Sequence, residues 1–141
     1  FAFPTPAQLA DVDVTSLGMP ARRGAAISRL AQAVLTDPDF LKRGSTLEDG
    51  LSRLKALSGF GDWTSHYVAM RAMREPDAFP ASDIGLLRSL EDEDGRRPTP
   101  DELTARSEPW RPWRAYAAQY LWTHSENLVS KSNSDFTVRG G

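Results

Sequence analysis

The sequence predicts an all-α domain, and three observations carry that expectation. Apolar residues recur at three- and four-residue steps over long stretches, the spacing that lines one face of a helix. Helix-start signatures stand ahead of several of those stretches. Strand-like alternation is nearly absent. With 141 residues, 40% of them hydrophobic and 26% charged, the chain has the size and balance of one globular domain with a modest core.

Thr5-Pro6-Ala7-Gln8 reads as a capping box, with Thr5 as N-cap, Pro6 at the first helical position and Gln8 reaching back. A short helix follows and ends before Gly18-Met19-Pro20. From about Pro20 to Thr36, Ile27, Leu30, Ala31 and Val34 form one buried stripe, stopped by Asp37-Pro38-Asp39. Ser45-Thr46-Leu47-Glu48 offers a second capping box, before a helix carrying Leu47, Leu51, Leu54 and Leu57. Ser58-Gly59-Phe60-Gly61-Asp62 breaks the pattern, which resumes through Trp63, Tyr67, Met70 and Met73. Two helices joined by a Gly-x-Gly turn make a tight hairpin. Glu75 to Pro80 reads as a loop, and a helix starts near Asp83 with Ile84, Leu86, Leu87 and Leu90. Glu91 to Pro98 is charged and punctuated by Gly and Pro, hence an exposed loop. Thr99-Pro100-Asp101-Glu102 repeats the capping signature. The last helix is expected from about Trp110 to His124, carrying Trp113, Tyr116, Ala117, Tyr120 and Leu121. Residues 125–141 are polar and aperiodic, the composition of a flexible tail.

Composition excludes several function classes. No cysteine is present, which removes disulfides, thiol catalysis, iron–sulfur clusters and the usual zinc sites. His66 and His124 alone do not make a metal centre. No run approaches the ~18 apolar residues of a membrane helix. The start, Phe1-Ala2-Phe3-Pro4-Thr5-Pro6, lacks a signal peptide's pattern, so a cytoplasmic protein is expected. Without an initial Met, the chain reads as processed or cut from something longer. A net charge of −2 and a pI of about 5.7 argue against a generally basic nucleic-acid binder.

The hairpin answers that objection. Its glycines, Gly59 and Gly61, permit positive φ and close approach of another backbone. The second helix starts at once, so its free N–H groups and dipole can hold a phosphate with few basic side chains. The same Gly-x-Gly also suits an ordinary αα-turn, and Asp62 is mildly unfavourable beside a phosphate. Asp83, like Ser82, can serve simply as an N-cap ahead of Ile84.

Leu57-Ser58-Gly59-Phe60-Gly61-Asp62-Trp63-Thr64, followed by Phe79-Pro80-Ala81-Ser82-Asp83, resembles the signature of the helix-hairpin-helix/Gly-Pro-Asp superfamily of DNA glycosylases. Phe3-Pro4-Thr5-Pro6, Leu17-Gly18-Met19-Pro20 and Trp110-Arg111-Pro112-Trp113-Arg114-Ala115-Tyr116-Ala117 narrow the resemblance to the bacterial 3-methyladenine DNA glycosylase II group. It runs from Phe1 to about Trp122. Ser58 stands where that group usually has Pro, Phe60 replaces a small aliphatic, His66 a common Asn, and Thr123 a frequent Tyr.

The resemblance implies a helix-hairpin-helix glycosylase domain, incomplete and lacking its N-terminal portion. Residues 1–124 would be the C-terminal part of the catalytic domain, with the hairpin at about 46–73. Asp83 matches the catalytic carboxylate, which would stabilise the cationic sugar formed as the N-glycosidic bond breaks and orient the attacking water. Trp63 stands where backbone-cleaving relatives carry a Schiff-base lysine, so the chain is expected to be monofunctional. Trp63, Tyr67 and Trp122 would line the pocket for an extruded, electron-poor alkylated purine. Trp110 and Trp113 are expected in the core. Gly59, Phe60, Gly61 and Thr64 would hold the DNA backbone. The carbonyls of Lys55, Leu57 and Phe60 would take a structural Na+ or K+, with no other cofactor required.

The partner implied is double-stranded DNA containing alkylated bases, met in the bacterial cytoplasm at the nucleoid. The resemblance also implies a missing N-terminal half, and an apolar surface where its helices would pack. Two other readings stay open: a non-catalytic helix-hairpin-helix DNA-binding module, and the repair segment of a fused alkylation-response regulator.

Overall fold

The computed structural model describes residues 2–13, 16 and 18–124. Among them it contains helices and turns and no strand. In chain order the helices are α1 (Pro6–Asp11), α2 (Ala21–Thr36), α3 (Leu47–Lys55), α4 (Asp62–Arg71), α5 (Ile84–Ser89) and α6 (Pro100–Ser107). A 3-10 turn over Glu108–Trp110 follows, and α7 occupies 114–124 of the described residues. The tail expected from 125 onward lies outside them. No helix among the described residues is long and apolar enough to cross a membrane.

The chain divides into two compact units, one ending at Glu75 and the other beginning at Pro76. In the first, α1 packs on α2 and α3 packs on α4. Thr5 caps α1 through the expected box with Gln8. For α3 the box is shifted by one residue: Thr46 is the N-cap and Asp49 the reciprocal partner, rather than Ser45 with Glu48. The two pairs are chemically equivalent, and the chosen register turns Leu47, Leu51 and Leu54 inward together. Leu57 lies beyond the helix, in the turn, and is half-buried. The stripe expected on α2 is only half-buried at Ile27, Leu30 and Val34, whereas Gly24, Ala26 and Ala31 are buried. Small residues take the close contacts because backbone, not side chains, approaches this helix. A Cβ added to Gly59 would lie 2.8 Å from the Ala26 Cβ.

The second unit is built around Phe79, Ala81, Leu86, Leu103 and Ala118, with Leu87, Leu90, Trp110, Leu121 and Trp122 packed against them. The loop entering α5 is itself core: Ala78, Phe79, Pro80 and Ala81 are all buried. Phe79 meets Trp110 edge-on, with ring centroids 6.0 Å apart. The charged loop at 91–97 is exposed as expected, Pro98 being buried, and is tied by Arg97–Glu91 and Arg96–Glu102 pairs. The capping box of α6 joins Thr99 to Glu102.

The last helix begins at residue 114 and not near Trp110. Pro112 has no N–H to donate, and its ring clashes with the preceding turn, so the helix starts after it. Trp113 is therefore not a core residue. It is 58% exposed, beside exposed Tyr116 and Tyr120. The reason lies in its neighbours: Arg111 and Arg114 both turn toward Asp77. Arg114 is only 5% exposed and binds Asp77 through two nitrogens at 2.7 and 3.0 Å.

Candidate active site

The candidate residues fall into two groups, one in each unit. In the first unit the hairpin is folded by a Phe60 N–H bond to the Leu57 carbonyl at 3.0 Å. Gly59 has φ +101, a conformation that favours glycine, and its missing Cβ lets the turn rest on Ala26. Gly61 differs from expectation. Its φ is −79, and a Cβ there would meet nothing within 4 Å. Its contribution is as the N-cap of α4, with no side chain covering the first N–H groups of the helix. Gly59 and Gly61 are exposed, while Phe60 and Thr64 are half-buried.

The unfavourable charge of Asp62 is answered locally. Lys55 Nζ, in the last turn of α3, lies 2.6 Å from Asp62 Oδ1 in the first turn of α4. The Lys55 hydrogen bond, with help from His66, holds the Asp62 carboxyl below its ordinary range against the opposing effect of burial. Each charge also suits its helix end. The Lys55–Asp62 pair thus closes the hairpin across its turn.

One helical turn on, Trp63 and Tyr67 stack with centroids 5.1 Å apart and planes 15° from parallel. Arg71 lies over the Tyr67 ring, 5.6 Å from its centroid. Residues four apart share a helix face, so the two rings form one aromatic step. Trp63 remains 40% exposed.

In the second unit, Asp83 caps α5. Its Oδ1 accepts from the Leu86 N–H at 3.0 Å and from the Trp122 indole N–H at 2.7 Å. The N-capping of α5 and the indole bond thus fix one orientation of the Asp83 side chain. The buried Phe79-Pro80-Ala81 loop fixes its backbone, with the Asp83 N–H bonded to the Pro80 carbonyl. Trp122, expected as a pocket wall, is also the donor that orients the carboxylate. Gly85 makes room for this: a Cβ there would stand 3.0 Å from Asp83 Oδ1 and 3.1 Å from Trp122 Cδ1. Sequence reasoning missed Gly85. The available signal was a glycine two residues after the aspartate, inside a helix that gains nothing from it.

The structure thus brings Trp63 and Tyr67 together in one unit, and Asp83 and Trp122 in the other. Among the described residues no three or more His, Asp or Glu gather to hold a metal ion.

A glycine-turned helical hairpin, followed along the chain by a buried Phe-Pro loop and an aspartate at the next helix start, defines the fold of a helix-hairpin-helix DNA glycosylase. The chain is 40% identical over 129 residues to a Mycobacterium tuberculosis protein described as "probable bifunctional transcriptional activator/DNA repair enzyme AlkA", covering 92% of this chain and 26% of that protein. It is 38% identical to the DNA-3-methyladenine glycosylase of Bacillus subtilis, over 84% of this chain and 39% of the relative. Against DNA-3-methyladenine glycosylase 2 of Escherichia coli it is 32% identical, over 85% of this chain and 42% of the relative. The solved Schizosaccharomyces pombe 3-methyladenine DNA glycosylase, in complex with abasic DNA, superposes with a TM-score of 0.74 at 25% identity, over 88% of this chain and 64% of that one. No protein-family model matches. Over most of its own length the chain is similar to 3-methyladenine DNA glycosylases, and it spans between 26% and 42% of the length of these curated relatives.

Proposed function

We propose that the chain carries the catalytic part of a monofunctional DNA glycosylase that hydrolyses the N-glycosidic bond of alkylated purines in duplex DNA, as a step of base excision repair. The observation that carries the reading is the fixed carboxylate: two donors on Asp83 Oδ1 hold the group in one orientation. A carboxylate held this way stabilises positive charge developing on the deoxyribose without reorganising as the bond breaks. The departing alkylated base is already electron-poor, so it leaves with little acid assistance. The Trp63–Tyr67 step offers such a base an electron-rich face. Neither ring can form an imine, so the reaction ends at base release and an abasic site.

Backbone N–H groups at the uncapped start of α4, with Gly59, Phe60, Gly61 and Thr64, would hold the DNA backbone. A structural Na+ or K+ would be held by the carbonyls of Lys55, Leu57 and Phe60. The Leu57 oxygen spends one lone pair on the Phe60 N–H and keeps the other. Such an ion would add positive charge beside the strand.

The test is base release from methylated duplex DNA. Asp83→Asn is expected to reduce it by about a hundredfold or more while DNA retention persists. Unchanged release with Asp83→Asn, alongside DNA retention lost in Gly59→Val, would establish the binding-module reading instead. The Mycobacterium tuberculosis relative, by its printed description, joins repair to transcriptional activation, which supports a fused regulator as the second reading.

A further inference from the structure

Within the first unit, a cleft of about 310 Å3 lies between the start of α2 and the hairpin turn, lined by Ala21, Arg22, Ala25, Arg29, Ser58 and Gly59. Two guanidinium groups line it and no carboxylate does. Arg22 is exposed, and its guanidinium has no hydrogen-bond or ion-pair partner among the described residues. Arg29 Nη1 donates to the Ser58 carbonyl at 3.1 Å, which fixes that side chain against the turn and leaves its other donors for a ligand. The cleft wall is closely packed where Gly59 meets Ala26. The first turn of α2 contains no acidic residue and has no capping side chain, so nothing local neutralises the arginines. In a chain of net charge −2, this is a local concentration of positive charge.

We propose that the cleft binds a phosphodiester of the DNA strand through Arg22 and Arg29, as a phosphate site additional to the helix-start amides of the hairpin. The proposal rests on the DNA-binding reading above and deepens it. Guanidinium forks match phosphate oxygens in pairs. Arg29 joins the site to the turn itself, so a strand held here is held in register with the hairpin.

The experiment measures duplex affinity against salt for the wild type, Arg22→Gln and Arg22→Glu. Arg22 makes no contact in the fold that Gln would break, so the variant isolates the ligand contact. Arg22→Gln is expected to weaken binding several-fold and to make the slope of log K against log salt shallower by about one. Arg22→Glu should weaken binding further. In parallel, inorganic phosphate is titrated while the amide resonances of Arg22 and Gly59 are followed. A slope that changes with Arg22, without saturation by inorganic phosphate, supports a strand phosphate. A slope indifferent to both Arg22 variants overturns the proposal, as does tight phosphate binding with an unchanged slope, which would mark a free-anion site. A wild type that retains no duplex overturns the DNA-binding reading and this proposal with it. Loss of base release in Asp83→Asn, with the slope preserved, leaves the two questions separate.

Discussion

Asp83 is set by three neighbours: the Leu86 N–H, the Trp122 indole and the space left at Gly85. A hydrogen bond to a charged group is worth ~1.5–3 kcal/mol. Trp122→Phe keeps the ring bulk and removes the donor, so base release should fall about ten- to a hundredfold. KM should change little if Trp122 acts mainly by orienting the carboxylate, and rise if it acts mainly as a wall. Single-turnover kinetics on methylated duplex separate the two. Asp83 and Trp122 were legible as candidates through the family resemblance, but their hydrogen bond was not, because it joins residues far apart in sequence. Trp113 shows the opposite error. Its helical period with Tyr116 and Tyr120 suggested burial, yet its neighbour Arg114 took the inward direction.

At the scale of elements, the hairpin is held by one close contact and one ion pair. Gly59→Ala would force its Cβ into Ala26 and strain a positive φ, an overpacking cost of ~1–3 kcal/mol that thermal unfolding should read. The Lys55–Asp62 pair sets the pH response. The Asp62 carboxyl is held below its ordinary range in the folded state, so its contribution is present above the unfolded value and is lost as pH falls through the folded one. The stability difference between wild type and Asp62→Asn should therefore be constant from neutral pH to about 5 and vanish in stronger acid. A difference that persists in acid would assign the effect to something other than charge. Element existence and order were readable from periodicity and capping chemistry. Boundaries were less so: Thr46 with Asp49 and Ser45 with Glu48 are rival boxes one residue apart, and only packing decides. The start of α7 was readable from Pro112, had proline been weighed above the aromatic period.

For the molecule as a whole, the acidic balance and the proposed DNA partner are compatible through the position of charges rather than their number. Many cations pair within the fold: Arg43 with Glu75, Arg96 with Glu102, Arg97 with Glu91, and Arg111 and Arg114 with Asp77. Each such pair removes a cation and an anion together and leaves the net charge unchanged, so the overall balance says nothing of where the remaining cations stand. The Asp77 cluster is the one most deeply buried. Asp77→Ala would leave the buried Arg114 guanidinium with the longer 3.4 Å Glu108 contact in place of its close partner, a loss of up to ~3–5 kcal/mol visible as a drop in denaturation midpoint. Asp77→Ala combined with Arg114→Met should recover part of it.

Trp113, turned out beside the buried Arg114, gives the protein a built-in optical label. Its indole meets water directly, whereas Trp110 packs on a core and Trp122 is tethered to a carboxylate. With the part-exposed Trp63 replaced by Phe, the red edge of the emission spectrum reports the solvent around α7, and the blue edge reports the interior beneath it.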